Sequence, residues 1–261
     1  MSVSQWPLDV DLTALQAPER IDRYARQAVM RGIGVKGQRR LREARVSIVG
    51  VGGLGSVSAL QLAAMGVGHL RLVDHDVVDI TNLQRQSLYD MSSLGYPKVE
   101  AASRRLEAVN PDVKVEPLAI SVNSATADNA VREVDVVIDG LDRLKPRYDV
   151  NRACLTRKVP YVFGSALESY GNASTILPDN TACLECIIGS SSDEGLPTCE
   201  TVGVYPQVLA IIASIQVKEA LDIILRRKPV LAGQLLFADI DSMDFQTFTM
   251  KRVPSCPSCG V

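Results

Sequence analysis

A glycine-rich loop has the residues and spacing of a turn that binds phosphate groups. GVGGLG at residues 50–55 fits the pattern G-x-G-x-x-G and directly follows RVSIV, a β-branched run typical of a buried parallel strand. Gly50 and Gly52 allow a tight turn and the close approach of a phosphate, and Gly55 lets the next helix pack against the strand. The N-terminus of that helix offers N–H groups and a positive dipole to an anion. The pattern predicts a nucleotide-binding loop that also includes Gly53.

A polar stretch after the next predicted strand carries charges that suit a triphosphate. Asp74 ends this strand, where a carboxylate can bind ribose hydroxyls. The chain continues as DHDVVDITNLQRQ and then GYPK, so Asn82, Arg85 and Lys98 can reach phosphates held by the glycine loop. A dinucleotide needs little cationic help, whereas a triphosphate that loses pyrophosphate builds up negative charge on the leaving group. The stretch therefore favours ATP over NAD.

A further motif, DGLD at residues 139–142, ends another predicted strand. In a doubly wound sheet this position is the carboxyl edge, where ligands bind. Two aspartates there, Asp139 and Asp142, suit Mg²⁺, which prefers a few carboxylates together with phosphate oxygens. A helix cap is the alternative role for Asp139. The motif predicts nucleotidyl transfer from Mg-ATP.

Four of the six cysteines form two C-x-x-C pairs, Cys183 with Cys186 and Cys256 with Cys259. Each spacing lets both sulfurs face one ion, and four thiolates complete the tetrahedral coordination of Zn²⁺. The pairs lie far apart in the sequence, so we expect a structural zinc that staples the C-terminus onto the body. A redox role is the alternative, but neither pair lies at the N-terminus of a helix that follows a strand.

Another cysteine, Cys199, lies in LPTCETVGV, after a turn-rich loop and before a helix. The dipole of that helix could stabilise a thiolate, so a catalytic role and a merely retained cysteine both stay open. We expect Cys154, in the helix VNRACLTRK, to be a small residue of the core.

The elements that must position these motifs alternate between strands and helices. This alternation predicts a Rossmann-like α/β fold with a doubly wound, mostly parallel sheet. ASTILP leaves little room for a further helix, so we expect an antiparallel extension with two late strands, QLLFADI and FQTFTM. Predicted strands are 45–50, 69–74, 113–118, 134–140 and 159–165, and predicted helices are 19–31, 37–44, 54–65, 98–109, 124–132, 146–157 and a buried helix 206–226.

The composition excludes several classes of protein. The chain has 261 residues of which 46% are hydrophobic, which is enough for a substantial core. Its net charge of -2 argues against a general nucleic-acid binder. The N-terminus lacks the basic and apolar regions of a secretory signal, and the longest apolar stretch, VLAIIASIQV, is about half the ~20 residues of a membrane span. We expect a soluble protein of a reducing cytoplasm.

Several motifs in this order resemble the ThiF/MoeB/HesA family of E1-like activating enzymes, most closely its MoeB and ThiF type. They are RYxRQ at residues 23–27, the glycine loop, LVDHDxVDxxNLQRQ, GYPK and DGLD. The resemblance implies a homodimeric adenylyltransferase that uses Mg-ATP to adenylate the C-terminal Gly-Gly carboxylate of a ubiquitin-fold (β-grasp) modifier or sulfur-carrier protein. We expect a loose leader over residues 1–18 and a single E1-like adenylation domain over residues 19–261, with a C-terminal zinc staple of four cysteines.

The resemblance also assigns roles to individual residues. Asp74 matches a ribose-binding aspartate, Arg85 and Lys98 match phosphate-binding residues, and Asp142 matches an aspartate associated with Mg²⁺. Arg26 matches an arginine that reaches the ATP of the neighbouring subunit in family homodimers. Two further positions of the nucleotide-binding stretch are Asn82 and Gln86.

At the position of Cys199, family members can carry a cysteine that links covalently to the activated partner, as a thioester or an acyl-disulfide. Some MoeB-type members do not need this cysteine. Other functions stay open, namely a tRNA-threonylcarbamoyladenosine dehydratase of the same family, an NAD-binding oxidoreductase, and a non-catalytic binding module. The sequence does not say whether the carrier serves molybdopterin, thiamine, tRNA thiolation or protein modification.

Overall fold

One eight-stranded sheet organises residues 21–260, the part of the chain that this computed structural model describes. The leader predicted for residues 1–18 lies outside that part, and the division of the chain into a leader and a single domain stays a prediction. The strands are β1 (Arg45–Val49), β2 (His69–Val73), β3 (Lys114–Leu118), β4 (Val136–Asp139), β5 (Tyr161–Leu167), β6 (Tyr170–Ile176), β7 (Gln234–Asp239) and β8 (Asp244–Thr249).

Helices cover the sheet and connect its parallel strands. They are α1 (Ala25–Ala28), α2 (Gly34–Glu43), α3 (Gly53–Met65), α4 (Lys98–Val109), α5 (Ala127–Val131), α6 (Leu144–Arg157), α7 (Leu184–Ile188), α8 (Cys199–Val202) and α9 (Pro206–Ile224). None of the helices in this part of the chain combines the length and apolarity that a membrane crossing needs.

The sheet confirms the predicted fold class. Its spatial order is β3-β2-β1-β4-β5-β6-β7-β8, with parallel pairing from β3 to β5 and antiparallel pairing from β5 to β8. β1 pairs with both β2 and β4, so the chain winds outward from β1 in two directions. Ligands of such sheets bind beyond the carboxyl ends of the strands at this switch point. The glycine loop follows β1 and lies there.

Helix α9 is buried, as its nearly continuous apolar sequence predicts. It packs against α3 on one side and against β4, β5 and β6 on the other. Val208, Ile212 and Ala213 are fully buried in this contact. Pro206 occupies its first turn, where a missing N–H costs nothing. α9 therefore joins the parallel and antiparallel halves of the sheet.

The continuous helix predicted over residues 19–31 is wrong for the described residues. A short 3-10 helix over Ile21–Tyr24 leads into α1, which has only four residues and ends at Ala28. The chain then turns, and Gly34 opens α2 with a φ of 63°. The side chains of Tyr24 and Gln27 contact the end of α3, so long-range docking determines the path of this segment.

Two glycines with similar positive φ angles allow the cost of backbone strain to be compared with the cost of a steric clash. Gly50 has φ 87° and Gly95 has φ 79°. A Cβ at Gly50 would lie 2.5 Å from the carbonyl oxygen of Gly140, whereas a Cβ at Gly95 would meet nothing within 4 Å. We expect Gly95→Ala to lower the free energy of unfolding by about 1 kcal/mol and Gly50→Ala by about 2 to 4 kcal/mol. Urea denaturation measures both, and equal losses would contradict the tight approach of the two loops.

Candidate nucleotide site and cysteine cluster

The glycines of the loop after β1 are needed for different steric reasons. A Cβ at Gly55 would lie 1.9 Å from the carbonyl oxygen of Gly50, so α3 can begin against β1 only with glycine there. A Cβ at Gly53 would lie 2.7 Å from Leu209 of α9, which shows a close helix contact. A Cβ at Gly52 would meet nothing closer than 3.9 Å. Gly52 therefore marks the space that a phosphate can approach.

The side chain of Gln86 flanks this space. Its Nε2 is the atom nearest to a Cβ built at Gly52. The residue is 4% exposed, and its Oε1 has no hydrogen-bond partner among the described residues. Since buried polar atoms are nearly always paired, this oxygen is suited to receive a donor from a bound molecule.

Asp74 holds the glycine loop from the end of β2. Its carboxylate accepts hydrogen bonds from the backbone N–H of Val51 at 2.8 Å and of Asp76 at 2.9 Å. The Tyr89 hydroxyl donates to the Val51 carbonyl at 2.8 Å. The carboxylate lies at the carboxyl end of β2, as the ribose role requires. It also fixes the shape of the glycine loop.

The turn that carries Asn82 and Arg85 is shaped by its own hydrogen bonds. The Asp79 carboxylate accepts the N–H and hydroxyl of Thr81, and these bonds lower the pKa of Asp79. The Asn82 side chain accepts the N–H of Asp79 at 3.1 Å, and an Arg85 Nη1 donates to the Thr81 carbonyl at 2.7 Å. These hydrogen bonds hold the turn in one conformation.

Lys98 begins α4 with a buried side chain and a carboxylate partner. Its Nζ lies 2.7 Å from Oδ2 of Asp76, and its backbone N–H donates to the Asp76 carbonyl at 2.9 Å. Val77 forms a β-bridge with Pro97 beside this contact. Sequence reasoning missed Asp76, although the second aspartate of DHD was a visible signal. Asp76 fixes Lys98 next to the loop of Asp74.

Asp139 points into the core, so the expectation that both aspartates of DGLD face Mg²⁺ is wrong. Its carboxylate accepts Nε of Arg147 at 3.0 Å and the N–H of Leu141 at 2.9 Å. Burial raises the pKa of Asp139, and the positive charge of Arg147 opposes this shift. The helix-cap alternative is wrong too, because α6 begins later, at Leu144, whose N–H donates to Asp193 at 2.7 Å.

Arg147 supports the turn that presents Asp142. An Nη2 of Arg147 donates to the carbonyls of Leu141 and Gly164, the latter at 2.9 Å, so it joins the turn to β5. The guanidinium also lies 5.3 Å from the ring centre of Phe163. Asp142 is exposed in the turn that follows the carboxyl end of β4. Sequence reasoning missed Arg147, because its pairing with Asp139 depends on how α6 packs against β4.

Cys199 is half-buried and lies near two of the predicted site residues. Its Sγ is 3.7 Å from the carbonyl oxygen of Ala166. Burial raises the pKa of this thiol, Arg85 opposes the shift, and Asp142 adds to it. Desolvation therefore outweighs the neighbouring cation, and the pKa shift is opposite in direction to the one expected from a helix dipole.

Arg26 is exposed on α1 and has no partner within residues 21–260. Its neighbours in RYxRQ are anchored instead: the Tyr24 hydroxyl accepts from Asn110 at 2.7 Å, and Gln27 donates to the Met65 carbonyl at 2.7 Å. A Cβ at Gly66, the left-handed C-cap of α3, would touch the Tyr24 ring. These contacts fix α1 at the C-terminal end of α3.

The two C-x-x-C pairs meet in space, as their spacing predicts. All four Sγ atoms lie within 4.8 Å of one another, and Cys183 is 3.8 Å from Cys186 and 3.5 Å from Cys256. Cys186 lies 3.4 Å from Cys259, and all four cysteines are free thiols. Sulfurs around a tetrahedral Zn²⁺ lie about 3.8 Å apart, so this donor set fits zinc. The spacing is too wide for disulfides.

The fold and the site define a nucleotide-binding α/β enzyme with a cysteine cluster that fits a metal. Residues 24–258 match the ThiF family, and the chain belongs to it.

Two curated relatives and one solved structure support this assignment. The chain is 38% identical over 242 residues to the SAMP-activating enzyme E1 of Haloferax volcanii, covering 92% of this chain and 89% of the relative. It is 34% identical over 239 residues to the molybdopterin-synthase adenylyltransferase of Escherichia coli, covering 91% and 96%. A crystal structure of E. coli MccB with succinimide has the same fold, with a TM-score of 0.81 and 23% identity over 95% of this chain and 76% of that chain. The enzyme class is that of ATP-dependent adenylyltransferases.

Alkylation of Cys199 should be slow at neutral pH, because burial raises the pKa of its thiol and only the thiolate reacts. Its rate with iodoacetamide should still rise above pH 8.5, about the pKa of an ordinary cysteine. Mass spectrometry of the Cys199 peptide against pH measures this, with the free peptide LPTCETVGV as the unperturbed control. A rate that is level from pH 7 to 8.5 would indicate a stabilised thiolate instead.

Proposed function

We propose that this chain uses Mg-ATP to adenylate the C-terminal Gly-Gly carboxylate of a ubiquitin-fold modifier or sulfur-carrier protein. The observation that carries the proposal lies beyond the carboxyl ends of the parallel strands. There the glycine loop is open at Gly52, and the chain also carries Gln86, Arg85 and Lys98. A triphosphate is the ligand that uses all of these groups. The activities in the names of the relatives agree with this chemistry.

In the proposed reaction a carboxylate oxygen of the carrier attacks the α-phosphorus of ATP. A C–O–P bond forms, the bond between the α-phosphorus and the bridging oxygen breaks, and pyrophosphate leaves. No proton needs to be removed, because the carboxylate is already the nucleophile. Arg85 and Lys98 stabilise the charge that grows on pyrophosphate, while Asp74 and Asn82 bind the nucleotide.

Asp142 is the residue we assign to Mg²⁺. It is the exposed carboxylate of DGLD at the sheet edge, whereas Asp139 is occupied by Arg147. An ion bound there with ATP would withdraw charge from the phosphates.

The position of Arg26 supports a site built from two chains. α1 is anchored at one end of α3, and the glycine loop lies at the other end. The 13 residues of α3 separate these ends by about 20 Å. We propose a homodimer in which Arg26 of one chain screens the repulsion between ATP and the carboxylate in the other. The contacts of Tyr24 and Gln27 leave Arg26 exposed for this role.

The cysteines serve structure first in this proposal. Zn²⁺ on Cys183, Cys186, Cys256 and Cys259 has no open coordination position, so it holds the C-terminal segment and takes no part in adenylation. Cys199, close to Arg85 and Asp142, is the candidate for a later covalent link to the carrier. A reducing cytoplasm, which keeps these thiols free, suits the proposal.

Pyrophosphate exchange tests the chemistry. Host β-grasp proteins captured with ATP present, identified by mass spectrometry and purified, should support exchange of labelled pyrophosphate into ATP. Asp142→Ala should lower the rate at least about 100-fold, because phosphate charge is no longer offset. Asp128→Ala, which removes an exposed carboxylate on α5, is the matched control and should exchange normally. Normal exchange by Asp142→Ala would remove Asp142 from the mechanism.

Mixed dimers test the shared site. Arg26→Ala and Asp142→Ala homodimers should both be nearly inactive, but mixing them allows one chain to supply Asp142 and the other Arg26. With random exchange about half of the dimers are mixed, and each has one intact site, so exchange activity should recover to about a quarter of wild type. If native mass spectrometry shows mixed dimers and no activity returns, Arg26 does not act across the interface.

A further inference from the structure

A single arginine on α6 contacts both C-x-x-C pairs. Nη2 of Arg152 donates to Oε1 of Glu185 at 2.6 Å, and its Nε donates to Oγ of Ser258 at 3.2 Å. Glu185 is the third residue of the pair CLEC, and Ser258 is the third residue of the pair CPSC. One guanidinium, from a helix that belongs to neither pair, therefore bridges equivalent positions of two segments that are distant in sequence.

Glu185 lies where a carboxylate is costly. Its side chain is 1% exposed, and Oε2 has no hydrogen-bond partner in the described part of the chain. Four thiolates outweigh the charge of one Zn²⁺, so the loaded cluster is itself an anion. Glu185 lies between the two cysteines of the first pair in sequence, and a buried carboxylate is destabilising unless a cation neutralises it. Among residues 21–260, Arg152 is the one cation in an ion pair with Glu185.

The packing of α6 against the first pair brings Arg152 to this position. The adjacent Asn151 is fully buried, and its Oδ1 accepts the N–H of Leu184 at 3.1 Å, which fixes α6 against the first pair. Asp149 is 3.9 Å from Arg152, a long contact. Arg252 also lies beside the second pair, where it donates to the Cys259 carbonyl.

The contribution of Arg152 to the metal site depends on the burial of its partner, Glu185. The arginine side chain is itself 52% exposed, and an ion pair between two exposed groups contributes little. Loss of a cation from a buried carboxylate is a different case, because the negative charge of Glu185 would remain uncompensated next to the thiolates.

We propose that Arg152 is the residue that retains the metal: it neutralises Glu185 beside the anionic cluster and ties the C-terminal pair to α6 through Ser258. The inference rests on the proposed zinc site, and it does not depend on adenylation. Groups that orient metal ligands from outside typically change metal affinity 10- to 100-fold. Arg152 contacts the residues between the cysteines and not the sulfurs, so we expect the lower end of this range.

Zinc content and zinc release test the proposal on the full chain. Wild type should hold one Zn²⁺ per chain, and Cys183→Ser should hold less. With excess 4-(2-pyridylazo)resorcinol as the chelator, Arg152→Met should release zinc about tenfold faster than wild type. Arg157→Met is the matched control, since Arg157 lies on the same helix, is similarly exposed, and pairs with Asp128 instead. It should release zinc at the wild-type rate.

A charge-removing variant separates neutralisation from a general loss of stability. In a Glu185→Gln background, Arg152→Met should change the release rate by less than about twofold, because no buried carboxylate remains to be neutralised and only the 3.2 Å hydrogen bond to Ser258 is lost. Arg152→Lys keeps the charge and should lie between wild type and Arg152→Met.

The outcomes distinguish the inference from the metal site on which it rests. Wild-type protein without zinc would overturn both. Wild-type protein with zinc, together with equal release from Arg152→Met and Arg157→Met, would overturn the role of Arg152 alone. A tenfold effect that persists with Glu185→Gln would overturn the neutralisation. These readouts need neither ATP nor a carrier, so the result stands apart from the adenylation assays.

Discussion

Asp139 and Arg147 form an ion pair that is buried where β4, β5, α6 and α9 meet. Arg147 also donates to the carbonyl of Gly164 in β5, and Gln216 of α9 donates to the Asp139 carbonyl at 2.8 Å. Removing one partner from such a pair costs about 3 to 5 kcal/mol, because the other charge stays buried. The turn that carries Asp142 begins directly at this pair, so the geometry of the sheet edge depends on it.

Helix α6 extends this dependence to the cysteine cluster. Arg147 holds the Asp142 turn near the start of the helix, and Asn151 and Arg152 contact the C-x-x-C pairs one turn later. Helix α6 thus supports the turn of Asp142 near its first residue and the cysteine cluster one turn further along. A metal in the cluster can therefore stabilise the body of the enzyme without touching the reacting atoms.

Helix α3 connects two other parts of the proposed site in a similar way. Gly55 allows its N-terminal end to approach β1, and its C-terminal end, at Met65 and Gly66, receives Tyr24 and Gln27. The nucleotide loop and the segment of Arg26 are thus held at opposite ends of one helix. The homodimer proposed above would bring these distant groups to one reaction.

The parallel core, the glycine loop after β1 and the meeting of the two cysteine pairs could all be predicted from the amino-acid sequence. These features follow from local periodicity, from backbone angles that glycine favours, and from ligand spacing. The directions in which several charged and polar side chains face depend instead on the three-dimensional packing. Asp139 turns inward to Arg147, Lys98 pairs with Asp76, and the Cys199 thiol has a raised pKa. Each outcome depends on desolvation and on partners distant in sequence, and no local pattern encodes either.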